Sequence, residues 1–161
     1  MCQLHRHFGR TKAEHILRHL RAVYVSHLHA DHHLGLIGLM HARRRAEAEA
    51  DLFIVAPKRL AQFLSYYHHK IEPVLEGARH IHNEHLLLSY ASQTAQKKTQ
   101  LIYPEVLEDL CRSTGLKSIA VSRAVHCANA FCVALTTARD DFKIVYTGDT
   151  RPNEDLNVLG R

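Results

Sequence analysis

Nothing in these 161 residues forms an apolar run of the roughly 18 residues that a membrane-spanning helix requires, so none is expected. The opening Met1-Cys2-Gln3-Leu4-His5-Arg6-His7 lacks the apolar core of a signal peptide, and no route of secretion is expected from it. Cysteine is scarce and irregularly placed, at Cys2, Cys111, Cys127 and Cys132. No C-x-x-C pair exists, which argues against a zinc ribbon or finger. Free thiols in a reducing compartment are the expectation, and the chain reads as intracellular. Neither an internal repeat nor a domain-scale linker is visible, so one domain over 1–161 is expected.

What the chain does have is an ordinary apolar content of 46%, enough for a buried core without staples. Lys and Arg (21) exceed Asp and Glu (16), giving a net charge of +5. Such a surplus weakly favours polyanionic partners. The outlier is histidine, at 15 residues. Imidazole is a common zinc ligand, so the positions of these histidines carry more information than their number.

Thr11-Lys12-Ala13-Glu14 reads as a capping box, followed by the apolar stripe Ile16, Leu17 and Leu20. Ala22-Val23-Tyr24-Val25 and Leu52-Phe53-Ile54-Val55 read as buried strands. Helices are expected from Leu34 to about Ala50 and, after Pro57, from Lys58 to about His69. The stretch 72–99 gives little pattern beyond the apolar Leu86-Leu87-Leu88 and the polar Ser92 to Thr99. A helix from Pro104 should end at Gly115. Three strands follow, at Ile119-Ala120-Val121, Phe131 to Leu135 and Phe142 to Tyr146. Ala138 to Asp141 forms a hairpin-like turn between the last two. The order is mixed, α/β or α+β.

The chemistry is concentrated in His27-Leu28-His29-Ala30-Asp31-His32, just past the first strand. In extended backbone alternate side chains point the same way, so His27 and His29 can converge on one metal. Asp31 and His32 follow where the chain turns into a helix, and suit a second metal beside it. Two metals can supply a hydroxide at neutral pH and clamp the attacking and leaving oxygens of a phosphoryl transfer. Leu34-Gly35 should permit close backbone approach at the helix start. His126 and Asp149 each stand at the exit of a strand, where a sheet-built site collects ligands from separate loops.

These blocks resemble a known family. His27-Leu28-His29-Ala30-Asp31-His32-His33-Leu34-Gly35, His126-Cys127-Ala128-Asn129-Ala130-Phe131 and Gly148-Asp149-Thr150-Arg151-Pro152 are similar to the catalytic part of tRNase Z (ribonuclease Z, zinc phosphodiesterase). The likeness is to its long eukaryotic form, within the metallo-β-lactamase superfamily. Leu4 to Gly9 and Leu20 to Ser26 resemble its flanking sequence. The resemblance implies an αββα sandwich, here a partial domain truncated at both ends. It implies two Zn2+ ions, one held by His27, His29 and His126, the other by Asp31 and His32, with Asp149 bridging. Asp31 would also orient the attacking hydroxide. The implied reaction is removal of the 3′ trailer from precursor tRNA, leaving a 3′-hydroxyl. A homodimer and a nuclear or mitochondrial location are likewise implied.

The family's aspartate-rich strand, its leaving-group histidine and the last histidine of the second zinc have no counterpart in this chain. Cys132 replaces the family's glycine after Ala-Phe. The isolated chain is therefore expected to be poorly active. Two other readings stand beside this one. One is a different hydrolase of the same fold, acting on a thioester or lactone. The other is an inactive paralogue or isoform that binds tRNA. Arg43-Arg44-Arg45 and Lys97-Lys98 read as solvated surface more than as phosphate contacts. His15 with His19, and His80, His82 and His85, read as surface histidines and a weak second cluster.

Overall fold

The computed structural model describes residues 2–87 and 104–161. Helix α1 spans Cys2–His19 and is broken at Gly9, where φ is 72° and ψ is 167°. The capping-box expectation is corrected here. Helix already exists before Thr11, and Glu14 accepts from Arg10 Nε at 2.9 Å, on the next turn. Strand β1 (Ala22–Tyr24), the single turn α2 (Ala30–His33) and helix α3 (Gly35–Arg45) follow. Next come β2 (Leu52–Ala56), α4 (Lys58–Lys70), β3 (Ala78–His82) and a 3-10 turn at Asn83–Leu86. Helix α5 (Pro104–Thr114), strands β4 (Leu116–Arg123), β5 (Phe131–Thr137) and β6 (Lys143–Tyr146), and helix α6 (Asp155–Gly160) complete the order.

Two three-stranded sheets result. The first, β1-β2-β3, is parallel; the second, β4-β5-β6, is antiparallel. The side-chain period of two explains how they stack. In β2, Leu52, Ile54 and Ala56 pack with Leu36, Met40, Leu60 and Leu64 of α3 and α4. The alternate residues Phe53 and Val55 pack with Val121, Phe131 and Val133 of the second sheet. Both faces of β2 are thus covered, and all five of its residues are buried. In β5, Phe131 and Val133 face the first sheet, while Cys132 and Ala134 meet Leu159 of α6. The layers run helix, sheet, sheet, helix, the αββα sandwich that the family resemblance implies. A third small core, Leu17 with Ala42 and Ala46, seats α1 on α3.

The helix expected from Leu34 to about Ala50 is shorter than the sequence pattern indicated. It ends at Arg45, because Glu47 adopts a φ of 55° and turns the chain back. Strand β3 and helix α6 were not legible in the sequence. Leu88, the polar segment Ser92 to Thr99, and Lys97-Lys98 lie outside the described residues. No helix among the described residues is long and apolar enough to cross a membrane.

Candidate metal centre

Three loops meet at one end of the paired sheets, and backbone bonds join them. The segment after β1 binds both neighbours: Val25 N–H donates to Val55 O at 2.8 Å, and Phe131 N–H donates to Ser26 O at 3.0 Å. Tyr24 Oη donates to Phe131 O at 2.9 Å, a second tie across 107 positions of sequence. The loop after β4 closes on itself through Ala124 N–H to Ala130 O, 2.9 Å. The loop after β6 lies against it. Arg151 N–H donates to Val125 O at 3.0 Å, and Val125 N–H donates to Thr150 Oγ1 at 2.9 Å. The segments carrying His27, His126 and Asp149 are therefore fixed to one another before any ligand is considered.

Close approach of backbone occurs at Gly148, not at Gly35. A Cβ at Gly35 would meet open space, so the expected close contact at that helix start is not formed. A Cβ at Gly148 would stand 3.0 Å from Ser26 Cβ, and its φ of 57° is left-handed. Only glycine sits there without strain. That lets the loop before Asp149 lie on the residue before His27.

His27 forms the floor of the site, with 0% exposure. Its Nδ1 lies 3.0 Å from Ser26 Oγ, itself buried, which leaves Nε2 to face the other ligands. That Nε2 is 3.0 Å from His29 Nδ1, and His126 Nε2 is 3.1 Å from the same atom. His32 stacks beside His27 with ring centroids 4.1 Å apart. The Asp149 Oδ2 atom is 3.3 Å from His32 Nε2, 3.8 Å from His126 Nε2 and 3.9 Å from His27 Nε2. Two groups of converging ligand atoms emerge. One is His27, His29, His126 and Cys127; the other is His27, His32 and Asp149. Asp31 belongs to neither group. Its carboxylate reaches His32 Nε2 at 3.4 Å but is 81% exposed, at the rim.

Burial holds the His27 pKa below its ordinary value, and the neighbouring His32, His29 and His126 push it the same way; Asp149 opposes them. A neutral imidazole with a free nitrogen is what a metal ion needs. Several ring nitrogens crowd here around too few acceptors for their protons, and a carboxylate stands beside them. That donor set fits zinc, which takes imidazole, thiolate and carboxylate together. Sequence reasoning placed Cys127 beside a ligand but not among the ligands. Its signal was adjacency to His126 on a tight loop.

The other candidate clusters resolve differently. Arg43 is buried and donates to Ala50 O at 2.9 Å, and Arg44 donates to Pro73 O and pairs with Glu76, both at 2.8 Å. These two arginines tie loops together. Arg45 lines a groove with His5, Arg10 and Glu14. His15 and His19 are exposed one turn apart. His82 and His85 approach with ring centroids 5.0 Å apart, yet neither they nor His80 join a converging ligand group among the described residues. Cys111, Cys127 and Cys132 are free thiols.

Known proteins resemble this chain along most of its length. A family model described as "Anti-Pycsar protein Apyc1" matches residues 3–159. The mitochondrial ribonuclease Z of Drosophila melanogaster is 40% identical over 164 residues, covering 99% of this chain and 20% of the relative. The zinc phosphodiesterase ELAC protein 2 of Homo sapiens is 34% identical over 167 residues, covering 99% of this chain and 19% of the relative. Ribonuclease Z 1 of Schizosaccharomyces pombe is 31% identical over 143 residues, covering 88% and 17%. The crystal structure of a long form RNase Z from yeast superposes with a TM-score of 0.79 at 23% identity, over 94% of this chain and 23% of that one. The chain spans about a fifth of the length of the curated relatives it matches. It belongs to the family that the Apyc1 model describes, has the metallo-β-lactamase fold, and is related to ribonuclease Z along nearly its whole length.

Proposed function

We propose that this chain is part of the catalytic domain of a zinc-dependent endoribonuclease that removes the 3′ trailer from precursor tRNA. The observation that carries the reading is the meeting of His27, His29, His126, His32 and Asp149 at one end of the two sheets, in a chain related to ribonuclease Z. In this reading His27, His29 and His126 would hold one ion, Asp31 and His32 would hold a second, and Asp149 would contribute to both. Zinc bound there supplies Lewis acidity and lowers the pKa of water toward neutrality. The chain's own residues do the rest. His27 sets the depth of the site, Ser26 orients its ring, and Asp149 leans toward His32. Asp31, exposed at the rim, accepts a hydrogen bond from the attacking water and orients it toward the phosphodiester. His29, His126 and Asp149 line the open side, where a flexible RNA 3′ end would enter. The +5 net charge favours such a polyanion.

A homodimer belongs to the same reading, and sedimentation of the purified chain tests it. Relatedness to a protein named as mitochondrial supports that compartment. The discriminating assay sets a precursor tRNA against a glutathione thioester, with zinc present and with zinc removed by chelation. The expected result is slow, zinc-dependent cleavage of the RNA after the discriminator nucleotide, well below the rate of an intact enzyme, leaving a 3′-hydroxyl, with the thioester untouched. Thioester hydrolysis without RNA cleavage would overturn it. Asp149→Asn and His126→Ala should each lower the RNA rate by at least roughly 100-fold.

A further inference from the structure

We propose that Asn83 is a positioning residue of the metal centre: its side-chain N–H completes the backbone ladder that presents His27, at the rung where Pro57 cannot. The proposal rests on the metal reading above and adds to it a residue outside the ligand set. Strands β1 and β2 are parallel, with Tyr24 opposite Val55. Phe53 N–H donates to Arg21 O at 2.9 Å, and Val25 N–H donates to Val55 O at 2.8 Å. In a parallel pair such bonds recur evenly along each strand. The next rung would run from the N–H of residue 57 to Val25 O. Residue 57 is proline, which has no N–H. Val25 is buried, so its carbonyl needs a donor from within the protein. Asn83 supplies it, with Nδ2 donating to Val25 O at 3.0 Å.

Asn83 is held in place for this role. It is the first residue of the 3-10 turn after β3, and it is fully buried. Its neighbour Glu84 accepts from the Lys58 N–H, at 3.1 and 3.2 Å to its two carboxylate oxygens. One short turn thus provides the donor that residue 57 lacks and the acceptor that residue 58 needs. At its far end Leu87 bridges Val121 of β4. Asn83 Oδ1 has no partner among the described residues, so the bond to Val25 is what the buried carboxamide contributes there. That bond acts on His27 through two residues. Val25 N–H, Val25 O and Ser26 O are bonded in turn to β2, to Asn83 and to Phe131 N–H. Without Asn83 the Val25–Ser26 peptide plane loses its middle tie and tilts. Tilt there changes ψ at Val25 and φ at Ser26, and with them the place of Ser26 Oγ, 3.0 Å from His27 Nδ1. The His27 ring then no longer presents Nε2 in one direction.

An exchange of donors tests this. Zinc affinity is measured by competition with a chromogenic chelator, and Co2+ d–d bands report the ligand geometry. Asn83→Ala should weaken zinc binding about tenfold and shift the cobalt bands. Adding Pro57→Ala to it returns an N–H at residue 57, and P57A/N83A should recover affinity to within about threefold of the unaltered chain and restore its bands. Affinity and bands unchanged in N83A, or no recovery in P57A/N83A, would overturn the role of Asn83 and leave the histidine site standing. An unaltered chain that binds neither zinc nor cobalt would overturn the metal reading and this inference with it. If N83A does not fold, P57A/N83A decides in its place. Folding with near-unaltered affinity supports the assignment. Failure to fold, or lost affinity, overturns it, because the side chain then does more than replace one N–H.

Discussion

Ser26 and Gly148 each act on the candidate ligand next in sequence, His27 and Asp149. The Ser26 hydroxyl, 3.0 Å from His27 Nδ1, fixes which face of the ring turns inward. Ser26→Ala should weaken zinc binding by about 10- to 100-fold, measured by competition with a chromogenic chelator. Unchanged affinity would show that packing alone orients the ring. Gly148→Ala forces a Cβ to within 3.0 Å of Ser26 Cβ at a left-handed φ. It should cost about 1–3 kcal/mol of stability, read from urea unfolding, and weaken zinc binding as well. The convergence of His27, His29, His32, His126 and Asp149 was legible in the sequence because they cluster in short blocks with strand exits before them. The convergence of Cys127 on the histidines was not legible, since spacing gives adjacency but not the direction of a side chain on a loop. Gly35 was misread for the same reason: glycine marks permission for close approach and does not say where the approach occurs.

At the scale of elements, β5 joins the core to the site. Phe131 is buried at 0% exposure against the first sheet, while its backbone N–H and carbonyl bind Ser26 and Tyr24. Phe131→Ala should destabilise the chain by about 3–5 kcal/mol. Tyr24→Phe removes only the hydroxyl tie and should cost about 0.5–1.5 kcal/mol. Equilibrium denaturation of both variants checks the order. Strands β2, β4, β5 and β6 were legible from apolar content, and α4 and α5 from Pro57, Pro104 and Gly115. Strand β3 was hidden because Arg79, His80 and His82 flank a single buried aliphatic residue, Ile81. Its place is set by pairing with β2, a long-range cause that local pattern does not carry. The helix after the metal motif was overextended because its charged end continues the helical composition past the turn at Glu47.

For the whole molecule, stability should depend on both pH and metal. Burial lowers the pKa values of His27 and His80, and also of His82 and His85. A histidine whose folded pKa lies below its unfolded value binds protons more readily once unfolded. Stability is then fully present above about pH 6.5 and falls as pH drops below it. The metal-free chain should therefore show a lower urea midpoint at pH 5.5 than at pH 7.5, above the range where carboxylates titrate. His80→Leu, which also removes a buried ring nitrogen without a partner, should flatten that difference. Zinc at about 100 times its dissociation constant should add about 2.7 kcal/mol and raise Tm by roughly 5–10 °C, reversed by chelation. A Tm indifferent to zinc would contradict the site.

The bond between His126 and His29 spans 97 positions of sequence. At ribosomal rates the second of these residues is made on the order of 5–20 s after the first. For that interval a nascent chain displays His27, His29 and His32 without the loops that complete their coordination. Any cation caught then has few ligands and leaves easily. A complete set of converging ligand atoms therefore exists only once Asp149 has been synthesised and the second sheet has closed on the first.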